Sequence, residues 1–157
     1  MPEISTMLWF DGRAEEAANF YTSVFKNSTI RSIARYPEGS PGPVGTVMTV
    51  AFELDGRPFI ALNGGPLFRF NESISFVVHC ETQAEVDEFW EKLLEGGAES
   101  QCGWLKDKFG LSWQIVPNAL LEMLRDKDAA KAKRVMQAML QMKKIDIQTL
   151  KQAYELQ

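Results

Sequence analysis

"EAANFYTSVF" (Glu16–Phe25) and "EVDEFWEKLL" (Glu85–Leu94) read as one helix written twice, and the fold follows from that reading. Laying Phe20-Tyr21 over Phe89-Trp90 also superposes Glu16 on Glu85, Ala17 on Val86 and Val24-Phe25 on Leu93-Leu94. In the first copy Ala17, Ala18, Phe20, Tyr21, Val24 and Phe25 recur at helical spacing as an apolar stripe, opposite Glu15, Glu16, Asn19 and Ser23. A short apolar strand precedes each helix, Leu8-Trp9-Phe10 in one copy and Phe76-Val77-Val78 in the other.

Outward from these helices the pattern predicts a strand over Ile4–Phe10, the helix Ala14–Phe25 and a strand over Thr29–Tyr36. The Pro/Gly-rich turn "PEGSPGPVG" leads to a strand over Thr46–Leu54, and Asp55-Gly56 signals a hairpin returning through Pro58–Leu62. After "NGGP" the scheme restarts with a strand over Ser73–Cys80, a helix over Gln83–Leu94 and a stop at Gly96-Gly97. "CGWLKDKFGLSWQIVP" (Cys102–Pro117) then reads as two strands turned at Phe109-Gly110, which leaves the second copy one strand short. One helix per copy covers only one face of its strands. The expectation is an α+β fold: two βαβββ-type modules, about residues 4–65 and 73–117 of a domain spanning 1–117, forming a curled sheet around a cavity.

Beyond Pro117 the composition shifts to Ala, Met, Leu, Gln and Lys. Helices are predicted over Asn118–Asp126, Asp128–Lys144 and Asp146–Gln157, a C-terminal helical extension (118–157) packed on the same domain. Val135, Met136, Met139, Leu140 and Met142 share one helical stripe and read as core; Lys131, Lys133 and Arg134 read as a solvated face.

A chain of 157 residues, 45% hydrophobic and 24% charged, is of ordinary globular composition. Its net charge of −4 argues against a general nucleic-acid partner, which needs a basic face. No apolar run approaches membrane-spanning length, and "MPEISTMLWFDG" has no basic segment followed by an apolar one, so no membrane partner and a cytoplasmic location are expected. Cys80 and Cys102 are not spaced as a C-x-x-C pair and read as buried thiols.

Strand alternation assigns the candidate site residues. Ser73, Ser75, Val77 and His79 share one face, toward the cavity, with Ile74, Phe76 and Val78 toward the helix. Ser112, Gln114 and Val116 face the cavity in the same way, with Leu111, Trp113 and Ile115 under the helices. Cys102, Trp104 and Lys106 share a face and offer a thiol, an indole and an ammonium, a wall suited to an anionic or aromatic small molecule; the alternative is an edge strand with a core cysteine and an exposed lysine. Asn63 begins "NGGP", which either presents backbone amides to a ligand or is a tight turn. His79, Cys102, Lys106 and Asp107 are the candidates for acid–base or nucleophilic chemistry, although His79 reads in the first place as a strand-end histidine bonded to backbone or water.

The repeat plan, with "LWFDGRAEEAANFY", "LNGGP" and "CGWLKDKFGLSWQIVP", resembles the PhnB-like group of the glyoxalase/bleomycin-resistance/dioxygenase superfamily, the vicinal oxygen chelate fold. This group carries the name of demethylubiquinone methyltransferase, and the resemblance covers about Ile4–Pro117 together with the helical extension. It implies a divalent-metal position on each of four strands, and here those positions read Ile4 (or Thr6), Ala61, Ser73 and Gln114. Such a set lacks the imidazole and carboxylate donors a metal centre needs, so no metal and no cofactor are expected. The resemblance and the open strand edges also imply a homodimer. Three readings follow: a small-molecule binder with a metal-free cavity, a metal-independent enzyme using His79, Cys102, Lys106 or Asp107, and a literal methyltransferase. The last is disfavoured because one glycine in "DGRAEEA" makes no nucleotide loop.

Overall fold

The computed structural model describes residues 1–156 and resolves two compact units, Met1–Phe70 and a second beginning at Asn71. The first contains β1 (Thr6–Phe10), α1 (Ala14–Val24), β2 (Thr29–Arg35), β3 (Val47–Leu54) and β4 (Arg57–Asn63). The second contains β5 (Ser75–Cys80), α2 (Gln83–Leu94), β6 (Ala98–Glu99), β7 (Trp104–Lys106) and β8 (Ser112–Pro117), then α3 (Asn118–Leu124), α4 (Ala129–Met139) and α5 (Ile147–Glu155). Each unit has a four-stranded mixed sheet, ordered β1-β4-β3-β2 and β5-β8-β7-β6. In both, the first strand lies parallel to the last and the others run antiparallel. The repeat is therefore topological as well as sequential, and the α+β expectation holds. The second copy is not a strand short: β6 is two residues long, too brief to leave an alternating pattern.

In the first unit α1 packs on β3 and β4. Tyr21 stacks on Phe52 with centroids 6.4 Å apart, and Phe52 on Phe59 at 5.4 Å. Val50, Phe52 and Ala61 are sealed beneath the helix, whereas Met7, Ile60 and Leu62 alternate onto the opposite, open face. Burial of the Val50 and Phe52 side chains stabilises by roughly 1.5–3 kcal/mol each. The Asp55-Gly56 hairpin forms as predicted, with φ of 49° and 74° in the two-residue turn that pairs Leu54 with Arg57. Helix α1 lacks a capping side chain of its own; the Asn63 side chain accepts from Ala14 N–H at 2.9 Å instead.

In the second unit α2 packs on β7 and β8, burying Val86, Trp90 and Leu93 on the sheet side that carries Leu105, Trp113 and Ile115. Thr82 caps α2 by accepting from Glu85 N–H, and the Glu85 carboxylate accepts from Glu81 N–H, a variant of the capping box. The C-terminal helices enclose a separate core of Val116, Leu120, Met123, Val135, Ile145 and Leu150. Gln83 clamps them to α2, donating to Ile145 C=O at 3.0 Å and accepting from Ile147 N–H at 2.8 Å.

Three readings of this extension need correction. Helix α4 ends at Met139, well short of Lys144, because the chain turns there and spends the carbonyls of Met142 and Lys143 on Cys102 N–H (2.8 Å) and Gly103 N–H (2.7 Å). The methionine stripe is consequently only partly core: Val135 is sealed, but Met136 and Leu140 are exposed. Arg134 is not simply solvated; its guanidinium donates to the carbonyls of Ala153, Tyr154 and Leu156 and so closes the C-terminal end of α5.

Candidate functional site

The cross-strand register builds the open face of the second sheet in rows. Ala98, Lys106, Ser112 and Ser75 are successive partners across β6, β7, β8 and β5, and Trp104, Gln114 and Val77 form the next row. Directly paired residues present their side chains on one side of a sheet, so each row lies on a single face. Beside this face lies a groove of about 270 Å³ lined by Glu72, Ala98, Glu99, Ser100, Trp104, Leu105, Lys106 and Ser112.

Three polar features mark this open face. Lys106 is ion-paired with Glu72, whose carboxyl is held below its ordinary value chiefly by the hydrogen bond from that ammonium. Gln114 Nε2 donates to Ser75 Oγ at 2.9 Å, which answers for the polar residue in a strand of Trp113, Ile115 and Val116: it ties β8 to β5 on the open face. Ser112 is 1% exposed, and its Oγ has no hydrogen-bond partner among the described residues. Buried polar groups nearly always find a partner, so this hydroxyl is the exception to be explained.

The remaining sequence candidates are placed as follows. His79 is exposed near the end of β5 on the same side as Ser75, and its side chain makes no hydrogen bond or ion pair among the described residues. Cys102 does not share the face of Trp104 and Lys106: it precedes β7, with φ of 59°, and its backbone is bonded to Met142. Ser73 lies ahead of β5, where its hydroxyl and its amide both donate to the Asn71 side chain. Val116 has the alternation of Gln114 but is taken into the core of the C-terminal helices.

Two candidates are engaged in holding the fold. Asp107 is 3% exposed: Oδ1 accepts from the amides of Phe109 (2.9 Å) and Leu111 (3.0 Å), and Oδ2 accepts from Trp113 Nε1 (2.9 Å). It braces the β7–β8 turn and is poorly placed to accept a substrate proton. Asn63 receives Ala14 N–H, donates to Val47 C=O at 3.0 Å and accepts from the Tyr36 hydroxyl through its own carbonyl, so it joins β4 to α1 and β3. Of the two thiols, Cys80 is sealed and pushed up to about 11 by burial and, secondarily, by Glu85, so it stays protonated and unreactive. Glu72 was not legible from sequence, because only tertiary structure brings it to Lys106.

The superfamily's metal positions fail one by one on their own chemistry. Ala61 has no donor atom and faces the helix layer, opposite Leu8 and Val50, so the strand is one residue out of register with the ligand assignment; the neighbouring open-face residues are Ile60 and Leu62. Thr6 lies on the helix side with Leu8, and Ile4 precedes the strand. Gln114 is engaged by Ser75, and Ser73 by Asn71. Among the described residues no group of three or more His, Cys, Asp or Glu side chains is arranged to hold a metal ion. The residues do not fit the group the fold implies.

Residues 2–116 match the family model of 3-demethylubiquinone-9 3-methyltransferase. A PhnB protein from Bacillus cereus, whose structure bears the same methyltransferase name as a provisional description, is 41% identical, with a TM-score of 0.67 over 74% of this chain and 99% of that one. Protein PA1353 from Pseudomonas aeruginosa is 20% identical with a TM-score of 0.61, covering 74% of this chain and 98% of that one, and shows the fold alone. So does the fosfomycin resistance protein FosX from Mesorhizobium loti, at 11% identity and a TM-score of 0.53 over 73% of this chain and 90% of that one. No curated protein matches.

Proposed function

We propose, for a chain that belongs to the 3-demethylubiquinone-9 3-methyltransferase family and to its PhnB-like, vicinal-oxygen-chelate form, a binding function: it holds a small molecule on the open face of its second sheet without a transition metal. The observation that carries this reading is the unpartnered Ser112 hydroxyl in the lining of a groove that also offers the Lys106 ammonium and the Trp104 indole. Leaving a buried hydroxyl unsatisfied costs about 1–3 kcal/mol, and sites that break a packing rule in this way are often functional ones. A metal-independent enzyme would draw on the same region. The geometry supports it less well, since Asp107 is enclosed by its donors, Cys102 is off the face and His79 lacks an orienting partner.

The family's name describes methyl transfer, and that chemistry is not part of the proposal. The sheets are mixed rather than doubly wound, and the first amide of α1 is occupied by Asn63 rather than open to a phosphate. Among the described residues no helix is long and apolar enough to cross a membrane. Self-association is a further part of the proposal: in the first unit Met7 is 54% exposed on an open sheet face with Ile60 and Leu62, an apolar surface that a second copy of the chain would cover. Sedimentation at micromolar concentration checks this, and a monomer would refute it.

The binding proposal is tested by titrating ¹⁵N-labelled protein with a library of small soluble fragments. Shifts confined to the Trp104 indole and the backbone of Lys106, Ser112 and Gln114 support it. Shifts scattered over α4 and α5, or none, would count against it.

A further inference from the structure

The Lys106–Glu72 ion pair stands at the groove, joining the segment ahead of β5 to β7, and its side chains are 40% and 60% exposed. Ser112 is the direct cross-strand partner of Lys106, so the two Cβ atoms are about 4.5–5.5 Å apart. Glu72 holds the ammonium, yet the neighbouring Ser112 hydroxyl has no partner among the described residues. The ion pair thus marks where an anion sits, and the hydroxyl marks a bond that Glu72 does not make. Trp104, two residues along on the same face as Lys106, supplies an indole wall beside that position. Glu99 also lines the groove, although it pairs with Leu105 in the register and so alternates opposite to Lys106.

We propose that the Lys106–Glu72 pair is a displaceable latch: a ligand carboxylate takes the place of Glu72 on Lys106, accepts a hydrogen bond from Ser112 Oγ, and rests its flat apolar body on Trp104. Ion pairs this exposed are weakly held, so exchange for a better-placed carboxylate is cheap. This rests on the binding reading above and adds a ligand class to it, carboxylates with a planar apolar body.

Benzoate and its neutral isostere benzamide are the probes, followed by NMR at the Trp104 indole N–H in the full chain and in Glu72→Gln, Lys106→Met and Ser112→Ala. Removing the internal competitor in Glu72→Gln is expected to tighten benzoate binding by about fivefold, the scale of an exposed ion pair, with benzamide unchanged. Lys106→Met should abolish that gain, and Ser112→Ala should weaken benzoate in either background. Benzoate binding no tighter to Glu72→Gln than to the unmodified chain, or unaffected by Lys106→Met, overturns the latch while benzamide still reports a binding groove. If neither probe moves Trp104 in any variant, the latch falls together with the binding site. The amide spectrum of each variant checks the fold, which the changes at the exposed Glu72 and Lys106 side chains, and the loss of one hydroxyl at the buried Ser112, should preserve.

Discussion

Replacing Ser112 by alanine should make this protein more stable, the reverse of what most buried substitutions do. The serine is 1% exposed and its hydroxyl has no partner, so the folded chain carries the desolvation of a polar group without a compensating bond, about 1–3 kcal/mol. Alanine removes that cost and forfeits only a few dispersion contacts at about 0.1–0.2 kcal/mol each. The net expectation is a gain of about 0.5–2 kcal/mol. With a urea dependence of roughly 1–3 kcal/mol/M, a gain of about 1 kcal/mol raises the midpoint by about 0.3–1 M at unchanged slope. Ser75→Ala is the internal control. Ser75 is the cross-strand neighbour of Ser112, but its hydroxyl accepts from Gln114, so the same change should cost about 1 kcal/mol. Two serines side by side, with opposite signs in one assay, test the bookkeeping directly. A fall in midpoint for Ser112→Ala, equal to that for Ser75→Ala, would mean that the hydroxyl is satisfied in solution and would remove the main support for the groove as a site.

Further outcomes follow from other contacts. Asp107→Ala strands the Trp113 indole N–H and the Leu111 amide and should cost about 2–4 kcal/mol in a denaturant melt, whereas catalytic importance without structural loss would contradict the bracing role. Asn63→Ala uncaps α1 and frees Val47 C=O, with an expected loss of about 1–2 kcal/mol by the same measurement. Trp113→Ala should cost about 3–5 kcal/mol against about 1 kcal/mol for Gln114→Ala; equal losses would mean that β8 faces the other way. The docking of α5 should be pH-sensitive from both sides. Tyr154 donates to Asp126, which lowers the carboxyl from 3.8 and raises the phenol from 10.0. A lowered acid stabilises above its unfolded value and loses that contribution as pH falls through the folded one, whereas a raised phenol stabilises below its unfolded value and loses it as pH rises through the folded one. Protection of the α5 amides, taken relative to the intrinsic exchange rate at each pH, should therefore be greatest at intermediate pH, and a flat protection profile would exclude the pair as a clamp.

What was legible in the sequence was whatever has a short period. The helical stripes at Ala17–Val24 and Val86–Leu93, the Asp55-Gly56 turn and the alternation of Ser75, Val77 and His79 all follow from local geometry, and each appears in the structure. What was not legible depends on contacts distant along the chain. Cys102 has the spacing of a face-sharing residue, but carbonyls some forty positions later draw its backbone into a turn with positive φ. Val116 alternates onto the open face and is then covered by helices whose sequence gives no sign of where they dock. The Ala61 assignment failed through register, since a one-residue slip along a strand exchanges its two faces.

The two copies share one topology but differ in the chemistry of their open faces, and that difference bears on function. In the first, Met7, Ile60 and Leu62 project from the sheet, while Asn63 is consumed in holding α1 and β3. In the second, the equivalent strands carry Ser75 on β5 and Ser112 and Gln114 on β8, and β7 adds Lys106 and Trp104. The helix-covered faces are mainly apolar in both copies, with Val50, Phe52 and Ala61 sealed in one and Leu105, Trp113 and Ile115 in the other. Packing alone asks for no polar row on the outward side of one sheet and an apolar one on the other. An apolar open face favours covering by protein, and a polar one with an unspent hydroxyl favours a ligand that can bond to it. On this argument the first copy serves assembly and the second serves recognition, so Met7→Lys should reduce self-association without altering benzoate binding, and Ser112→Ala should do the converse.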